Sequence, residues 1–412
     1  MKKILFLIGS ANISGGTYVI FQHALHLQSI GLNITLACIE FEEFISLKKS
    51  NDFWHPGLKQ LDFISINDVN KKEYDLAIFT WWKTIFYLPN LHTKKIVYFI
   101  QSIESKFYDP LDTPLCNLVN STYTFNIPVI TEATWIKHYL YTHYGSHAQL
   151  VHNGIRKDIY SEKTLPLLSK NNKKLRILVE GPLGVPFKNT EKTLKLCSTV
   201  PNIELWWLTS SKVSHYKNVD KVFSCLSIEK TTEVYRSCDI LVKLSYVEGM
   251  FAPPLEIFHC GGTCIVYDVT GHDEYIKNNY NGIVVKTDDE ESVIAAIQLL
   301  INDQKFLNKL KAGALETAKL WLSWEQSSSK FHRALNTIFN TSLQQHRQAI
   351  NNKITAAYKQ YEIAINKQPF SYQITNKTKS ILKYLLKKNL KLNNILRKIY
   401  YATRSKSGYK YE

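Results

Sequence analysis

The stretch KKILFLIGSANISGGTYVIFQHALHLQSIGLNITLACI, Lys2–Ile39, decides the fold class. Lys3–Ile8 is a continuous apolar run, the kind of strand that a parallel sheet covers on both faces. Gly15 and Gly16 open a helical stretch, Thr17–Ile30, with apolar positions at Val19, Ile20, Ala24, Leu25 and Leu27. Gly31 ends it, and Asn33–Ile39 is a second strand. Strand, glycine turn, helix and strand make a βαβ unit, the building block of doubly wound sheets.

Further apolar runs lie at Leu76–Phe79, Ile96–Ile100 and Val129–Thr131, and Asn153-Gly154 makes a turn. From Lys157 to Lys174 the chain is polar and lysine-rich without periodicity, as expected of a linker. The alternation then restarts. Strands are expected at Leu175–Glu180, Ile203–Thr209, Asp239–Leu244, Thr263–Asp268 and Gly282–Lys286. Helices are expected at Asn189–Ser198, Thr231–Cys238, Pro254–Cys260 and Glu291–Ile301, the last opened by a capping box at Thr287-Asp288-Asp289-Glu290. Two doubly wound α/β sheets follow, with ligands at the carboxyl ends of their strands. The expected divisions are residues 1–160, residues 175–335 and a tail, residues 343–412.

Length and composition fit that picture: 412 residues, 45% hydrophobic and 21% charged, suit a globular chain of two or three domains. The net charge of +16 is uneven. Residues 343–412 hold 15 Lys/Arg against Glu362 and Glu412, a net +13, which leaves the body at +3. From Ser380 to Tyr401 a helical projection gathers Leu382, Leu385, Leu386, Leu392, Leu396, Ile399 and Tyr400 on one face and Lys383, Lys387, Lys391 and Lys398 on the other. A basic amphipathic tail of this kind suits an anionic membrane surface; a helical extension packed on the body, or a disordered basic tail, gives the same pattern. The seven cysteines are scattered without a CxxC pair, which fits a reduced compartment and no zinc site. The opening MKKILFLIGSA imitates a signal peptide, but its apolar core is short and runs into the Ser14-Gly15-Gly16 turn, so it reads as a buried first strand.

The sharpest chemical motif is Glu248-Gly249-Met250-Phe251-Ala252-Pro253-Pro254-Leu255-Glu256. Gly249 permits close backbone approach, and Pro254 suits the first turn of a helix whose free N–H groups attract anions. Glu248 on the loop and Glu256 in the helix would address two ends of one extended ligand, such as a nucleotide sugar. A surface glutamate followed by a helix-cap glutamate gives the same spacing by chance.

This segment resembles the E-x7-E motif of retaining family-4 glycosyltransferases, which have the GT-B fold. Ser14-Gly15-Gly16 resembles their amino-terminal glycine loop, and Ser237–Val242 followed by Ser245 resembles their strand before the first glutamate. Thr270-Gly271, Asn281-Gly282 and the helix opened at Thr287 match the run after the second, so the likeness spans roughly residues 1–335. A narrower likeness, to rhamnosyltransferases of bacterial surface polysaccharides, rests on Thr80-Trp81-Trp82, on Tyr98–Glu104 with Phe107-Tyr108, and on Asn153-Gly154-Ile155. Ser102 stands where that branch usually carries Asp.

The resemblance implies a fold of two Rossmann-like doubly wound domains facing a central cleft, with the basic, mostly helical tail appended. It implies that Glu248 holds hydroxyls of a donor sugar and Glu256 the ribose hydroxyls. Backbone N–H groups of Gly249, Met250, Phe251 and Ala252, with Gly16 and Gly184, would meet the sugar and diphosphate. Lys188 stands where the family places a lysine against the diphosphate, whereas Pro182 occupies the place of its usual arginine. Gln101, Glu104, Trp81 and Trp82 are candidates for the acceptor. Adjacent strand residues point to opposite faces, so one tryptophan is expected in the core. No metal and no cofactor are implied beyond a nucleotide-diphospho-sugar co-substrate. The acceptor would be a lipid-linked glycan or growing surface polysaccharide, at the cytoplasmic face of the plasma membrane. The donor of first choice is rhamnosyl, and the second a UDP- or GDP-hexose. A basic nucleic-acid-binding protein with degenerate Rossmann domains is the reading from another class; no nucleic-acid motif supports it. A dinucleotide oxidoreductase would need G-x-G-x-x-G, and Gly9 is followed by Ser10-Ala11-Asn12.

Overall fold

The computed structural model describes residues 2–169, 174–340 and 347–368. The amphipathic segment Ser380–Tyr401 lies outside the described residues. Among those described, thirteen strands form two sheets, and every pairing is parallel. The first holds β1 (Lys3–Ile8), β2 (Asn33–Cys38), β3 (Asp62–Ser65), β4 (Glu73–Phe79), β5 (His92–Ile100), β6 (Val129–Thr131) and β7 (Ala148–Leu150), in the order β3-β2-β1-β4-β5-β6-β7. The second holds β8 (Leu175–Glu180), β9 (Ile203–Thr209), β10 (Lys221–Ser224), β11 (Ile240–Lys243), β12 (Thr263–Tyr267) and β13 (Ile283–Val285), in the order β10-β9-β8-β11-β12-β13. Strand order therefore reverses between β1 and β4 and again between β8 and β11. At such switch points the loops leave to opposite faces and open a crevice at the strands' carboxyl ends.

The expected strands are present, and the additional ones sit at sheet edges. β3, β7 and β10 are three or four residues long and half-buried, so they carry no apolar run. The first helix runs Gly15–Ser29, with the Ser14 hydroxyl accepting from the Thr17 amide at 3.1 Å. The expected capping box at Thr287 is not formed. Asp289 is the N-cap of the helix Glu290–Asn302 and accepts from the Ser292 amide at 3.0 Å. Thr287 instead donates through its amide (2.7 Å) and hydroxyl (2.6 Å) to Asp268. The aspartate carboxylate beside the first helical N–H groups displaces the weaker threonine cap.

Each sheet has its own core. That of the first includes Phe6, Phe21, Phe99, Trp324, Phe331, Leu335 and Ile338. The last four belong to the helix Trp324–Asn340, so chain following the second sheet returns to cover the first. Buried His23 stacks on Phe331 with ring centroids 4.1 Å apart, and its Nδ1 lies 2.9 Å from the Ser328 hydroxyl. The core of the second sheet centres on Trp207, Tyr267, Val242 and Ile265.

Both sheets lie in one compact unit, Met1–Ile103 with Asn126–Gln345. A second unit comprises, among the described residues, Glu104–Phe125 and residues 347–368. Within it the helix Arg347–Asn366 packs against the helix Thr113–Ser121, and Lys353 Nζ donates to the Thr124 carbonyl at 2.7 Å.

Candidate active site

The switch point of the second sheet brings two loops together. One follows β8 (Gly181–Lys188), and the other follows β11 (Leu244–Phe251) and leads into the helix Ala252–His259. They are tied by the Tyr246 amide donating to the Phe187 carbonyl (2.8 Å) and by Asn189 Nδ2 donating to the Leu244 carbonyl (2.9 Å). Thr270 fixes Glu248 from the far side: its hydroxyl accepts from the Glu248 amide and donates to the Glu248 carbonyl. As a result Lys188 Nζ lies 2.6 Å from Glu248 Oε2. The glutamate is buried, at 6% exposure, while the lysine side chain keeps 25%.

Burial alone would raise the Glu248 carboxyl. The nearby Lys188 and Lys243 charges, helped by the Ser245 hydroxyl, outweigh it and hold Glu248 below its ordinary value. Lys243, the last residue of β11, is 2% exposed and 2.5 Å from Glu180 Oε2. Glu256 behaves oppositely. Burial, with Glu180 adding repulsion, pushes it up to about 7 against the lowering effect of the Tyr235 and Tyr160 hydroxyls and Lys243.

The halves of the first unit meet at this loop. Glu132, just after β6, is buried; its Oε1 accepts from the Met250 amide (3.1 Å) and its Oε2 from Asn153 Nδ2 (2.9 Å). Burial pushes Glu132 up to about 7 in spite of those two donors. Trp135 Nε1 donates to the Gly249 carbonyl at 3.0 Å. A side chain at Gly249 would collide with the Gln101 carbonyl and stand 2.7 Å from Glu132 Oε1, so close approach of the two halves requires glycine there. Glu274 ties the same halves, accepting from the Thr134 amide and hydroxyl and pairing with His152 Nε2 at 2.8 Å.

The sequence-derived residues sort as follows. Lys188, Glu248 and Gly249 converge, with Glu256 one helix turn onward. The Met250 amide is engaged by Glu132, so a donor contact there requires its release. Phe251 is buried, while half-buried Ala252 starts the helix. Gly184 takes a left-handed turn, φ 68°, within the Gly181–Lys188 loop. In the half built on the first sheet, a side chain on Gly16 would stand 3.4 Å from Gln101 Oε1, a buried atom without a hydrogen-bond partner. The tryptophans lie not on a strand but at the exit of β4 and the start of the short helix Trp82–Ile85. Trp82 is buried and edge-on to Phe86, as core packing, whereas half-buried Trp81 lies over Gly9 at the end of β1. Glu104 is buried in the second unit, with its amide donating to the Tyr123 hydroxyl at 2.9 Å. Sequence reasoning missed Glu132, Glu180 and Lys243. Glu132 and Glu180 share one signal, an acid at the carboxyl end of an apolar strand. Lys243 has another: a lysine inside a run that is otherwise apolar.

Residues 209–317 match the family model described as "Glycosyl transferases group 1". The N,N'-diacetylbacillosaminyl-diphospho-undecaprenol alpha-1,3-N-acetylgalactosaminyltransferase of Campylobacter jejuni is 36% identical over 86 residues, 21% of this chain and 23% of that protein. The match thus spans about a quarter of that curated relative. Among solved structures, sucrose-phosphate synthase from Thermosynechococcus elongatus superposes with a TM-score of 0.64 at 15% identity, covering 82% of this chain and 99% of that one. Anabaena Alr3699/HepE in complex with UDP and glucose gives 0.64 at 13%, covering 82% and 100%. The two parallel sheets are therefore those of the GT-B fold, and the stretch that matches the group 1 model, residues 209–317, contains Glu248 and Glu256.

Proposed function

We propose that this chain is a retaining glycosyltransferase that moves a sugar from a nucleoside-diphosphate donor to a lipid-linked or polymeric saccharide of the bacterial surface. The observation that carries the reading is the Lys188–Glu248 pair at the switch point of the second sheet, where the fold opens its ligand crevice. Buried Glu248 Oε1 lacks a hydrogen-bond donor, and donor-sugar hydroxyls would supply one. Lys188 would stabilise charge developing on the leaving diphosphate, aided by the Gly16 backbone and by the Ala252 amide, since Pro253 and Pro254 in the same helix turn have no N–H to offer. Glu256 would hold the ribose hydroxyls. Attack from the departing face, with the leaving phosphate oxygen taking the acceptor proton, retains configuration without a protein nucleophile. The paired-carboxylate glycosidase scheme is thereby not needed. No metal ion takes part in this scheme. Gln101 and Trp81 would meet the acceptor, the Trp81 ring being suited to sugar stacking.

The donor sugar has two readings. Likeness to rhamnosyltransferases favours dTDP-rhamnose. The Campylobacter relative, named for N-acetylgalactosaminyl transfer to an undecaprenol-linked substrate, favours an N-acetylhexosamine. We favour the second, because sequence identity reaches 36% there. The basic tail would hold the chain at the anionic inner leaflet, beside lipid-linked acceptors. No described helix is long and apolar enough to cross a membrane.

A panel of UDP-, GDP- and dTDP-sugars, followed for slow hydrolysis without acceptor, tests the proposal. Release of nucleoside diphosphate from UDP-N-acetylgalactosamine, lost in Glu248→Gln, is expected. Release from dTDP-rhamnose alone would reverse the choice of sugar, and release from none would reject the transferase reading.

A further inference from the structure

Lys243 has no place in the donor contacts above, yet it is the most deeply buried cation of the site. Its ammonium donates to Glu180 Oε2 at 2.5 Å and to the Glu180 carbonyl at 3.1 Å. It also stands 3.9 Å from Glu248 Oε1, the oxygen that lacks a hydrogen-bond donor. Glu248 is thus flanked by two ammonium groups of different character. Lys188 rises from a loop and is a quarter exposed, so it can turn toward a ligand in the crevice. Lys243 is fixed on a strand at 2% exposure, held through two bonds to Glu180.

A donor diphosphate needs the Lys188 ammonium, which in the ligand-free chain sits on Glu248. Once Lys188 leaves, Glu248 becomes a buried carboxylate without its nearest cation, and such a group ordinarily takes up a proton. Protonation would turn one of its acceptor oxygens into an O–H donor.

We propose that Lys243 is a positioning residue that keeps Glu248 ionised while Lys188 passes from that carboxylate to the donor diphosphate. The proposal rests on the donor reading given above. Five groups face this exchange: Glu180 from β8, Lys188 from the following loop, Glu132 from the end of β6, Glu256 from the helix Ala252–His259, and Lys243 from β11. Glu132 and Glu256 titrate in the neutral range, so proton uptake must be assigned to Glu248 by difference.

Titration calorimetry of UDP into the full chain, in buffers of unlike ionisation enthalpy, counts protons taken up on binding. Wild type and Glu248→Gln should take up equal numbers, because Glu248 stays ionised throughout. Lys243→Met should take up about one proton more, and Lys243→Met/Glu248→Gln should lose that excess. Lys243→Arg retains the charge and should match wild type. An excess in wild type over Glu248→Gln would overturn the proposal, and that comparison needs no folded Lys243 variant. Absence of the excess in a folded Lys243→Met chain would overturn it equally. Failure of UDP, GDP and dTDP alike to bind wild type would instead reject the donor reading, and this proposal with it.

Discussion

Lys188 and Glu132 show what single side chains contribute. The first is a cation at the rim of the crevice, paired with a glutamate it can release. Lys188→Met should therefore lower kcat roughly a hundred- to a thousandfold, the range seen when one charge-stabilising group is removed. Circular dichroism should be unchanged; normal turnover with the best donor would remove Lys188 from the site. Glu132 makes a different prediction. Burial raises its carboxyl to about 7 from an ordinary 4.5, so its favourable neutral form is fully present below about pH 4.5 and lost as pH rises to about 7. Wild type pays that ionisation cost on going from pH 5 to pH 8, whereas Glu132→Gln does not. The stability difference should move in the variant's favour by about 3 kcal/mol or less across that range, read by guanidinium unfolding. A pH-independent difference would mean that Glu132 titrates normally. Gly249→Ala should separate the halves, because the added methyl meets the Gln101 carbonyl. Donor turnover should fall while each sheet keeps its fold; unchanged turnover would show that this approach is not required.

At the scale of elements, legibility followed burial. The central strands are apolar runs covered on both faces, and their carboxyl ends follow from the sequence to within a residue, whereas β4 and β5 begin three and four residues before their apolar runs, in the polar stretches Glu73–Asp75 and His92–Lys95. The edge strands β3, β7 and β10 have one neighbour, half-buried side chains and polar residues such as Asp62, Gln149 and Lys221, so hydrophobic period could not reveal them. The same logic governs the site. The Glu248–Glu256 spacing is local, and a local signal finds it. The Glu132–Met250 contact joins residues 118 apart and exists only once two sheets have formed. The helix Trp324–Asn340 is amphipathic in sequence, but nothing local says that its apolar face covers the first sheet rather than the second. That destination is testable. Phe331 is fully buried against Phe6, Phe99 and His23. Phe331→Ala should cost about 3–5 kcal/mol and expose Trp324 to quenchers, leaving the second sheet's near-ultraviolet signal in place. Loss confined to the second sheet would contradict the packing.

Charge is a property of the whole molecule, and its asymmetry is greater than +16 suggests. Residues 369–412 carry eleven Lys/Arg against the single acid Glu412, while the body before residue 343 is close to neutral. A nearly neutral body gives an anionic bilayer little to attract, so membrane affinity should reside in those last residues. Each cation near the surface contributes about 1 kcal/mol before screening, and salt weakens the sum. The place of truncation matters. Cutting at Leu343 would also remove the helix Arg347–Asn366 and uncover the helix Thr113–Ser121 against which it packs, so lost binding could reflect lost structure. Cutting after Gln368 spares that pair. The shortened chain should sediment poorly with phosphatidylglycerol vesicles, keep wild-type hydrolysis of soluble nucleotide sugar, and lose activity toward a lipid-linked acceptor in bilayers. The full chain should bind less as salt is raised. Equal sedimentation of both chains would place the membrane contact on the body, where net charge cannot account for it and apolar surface would have to.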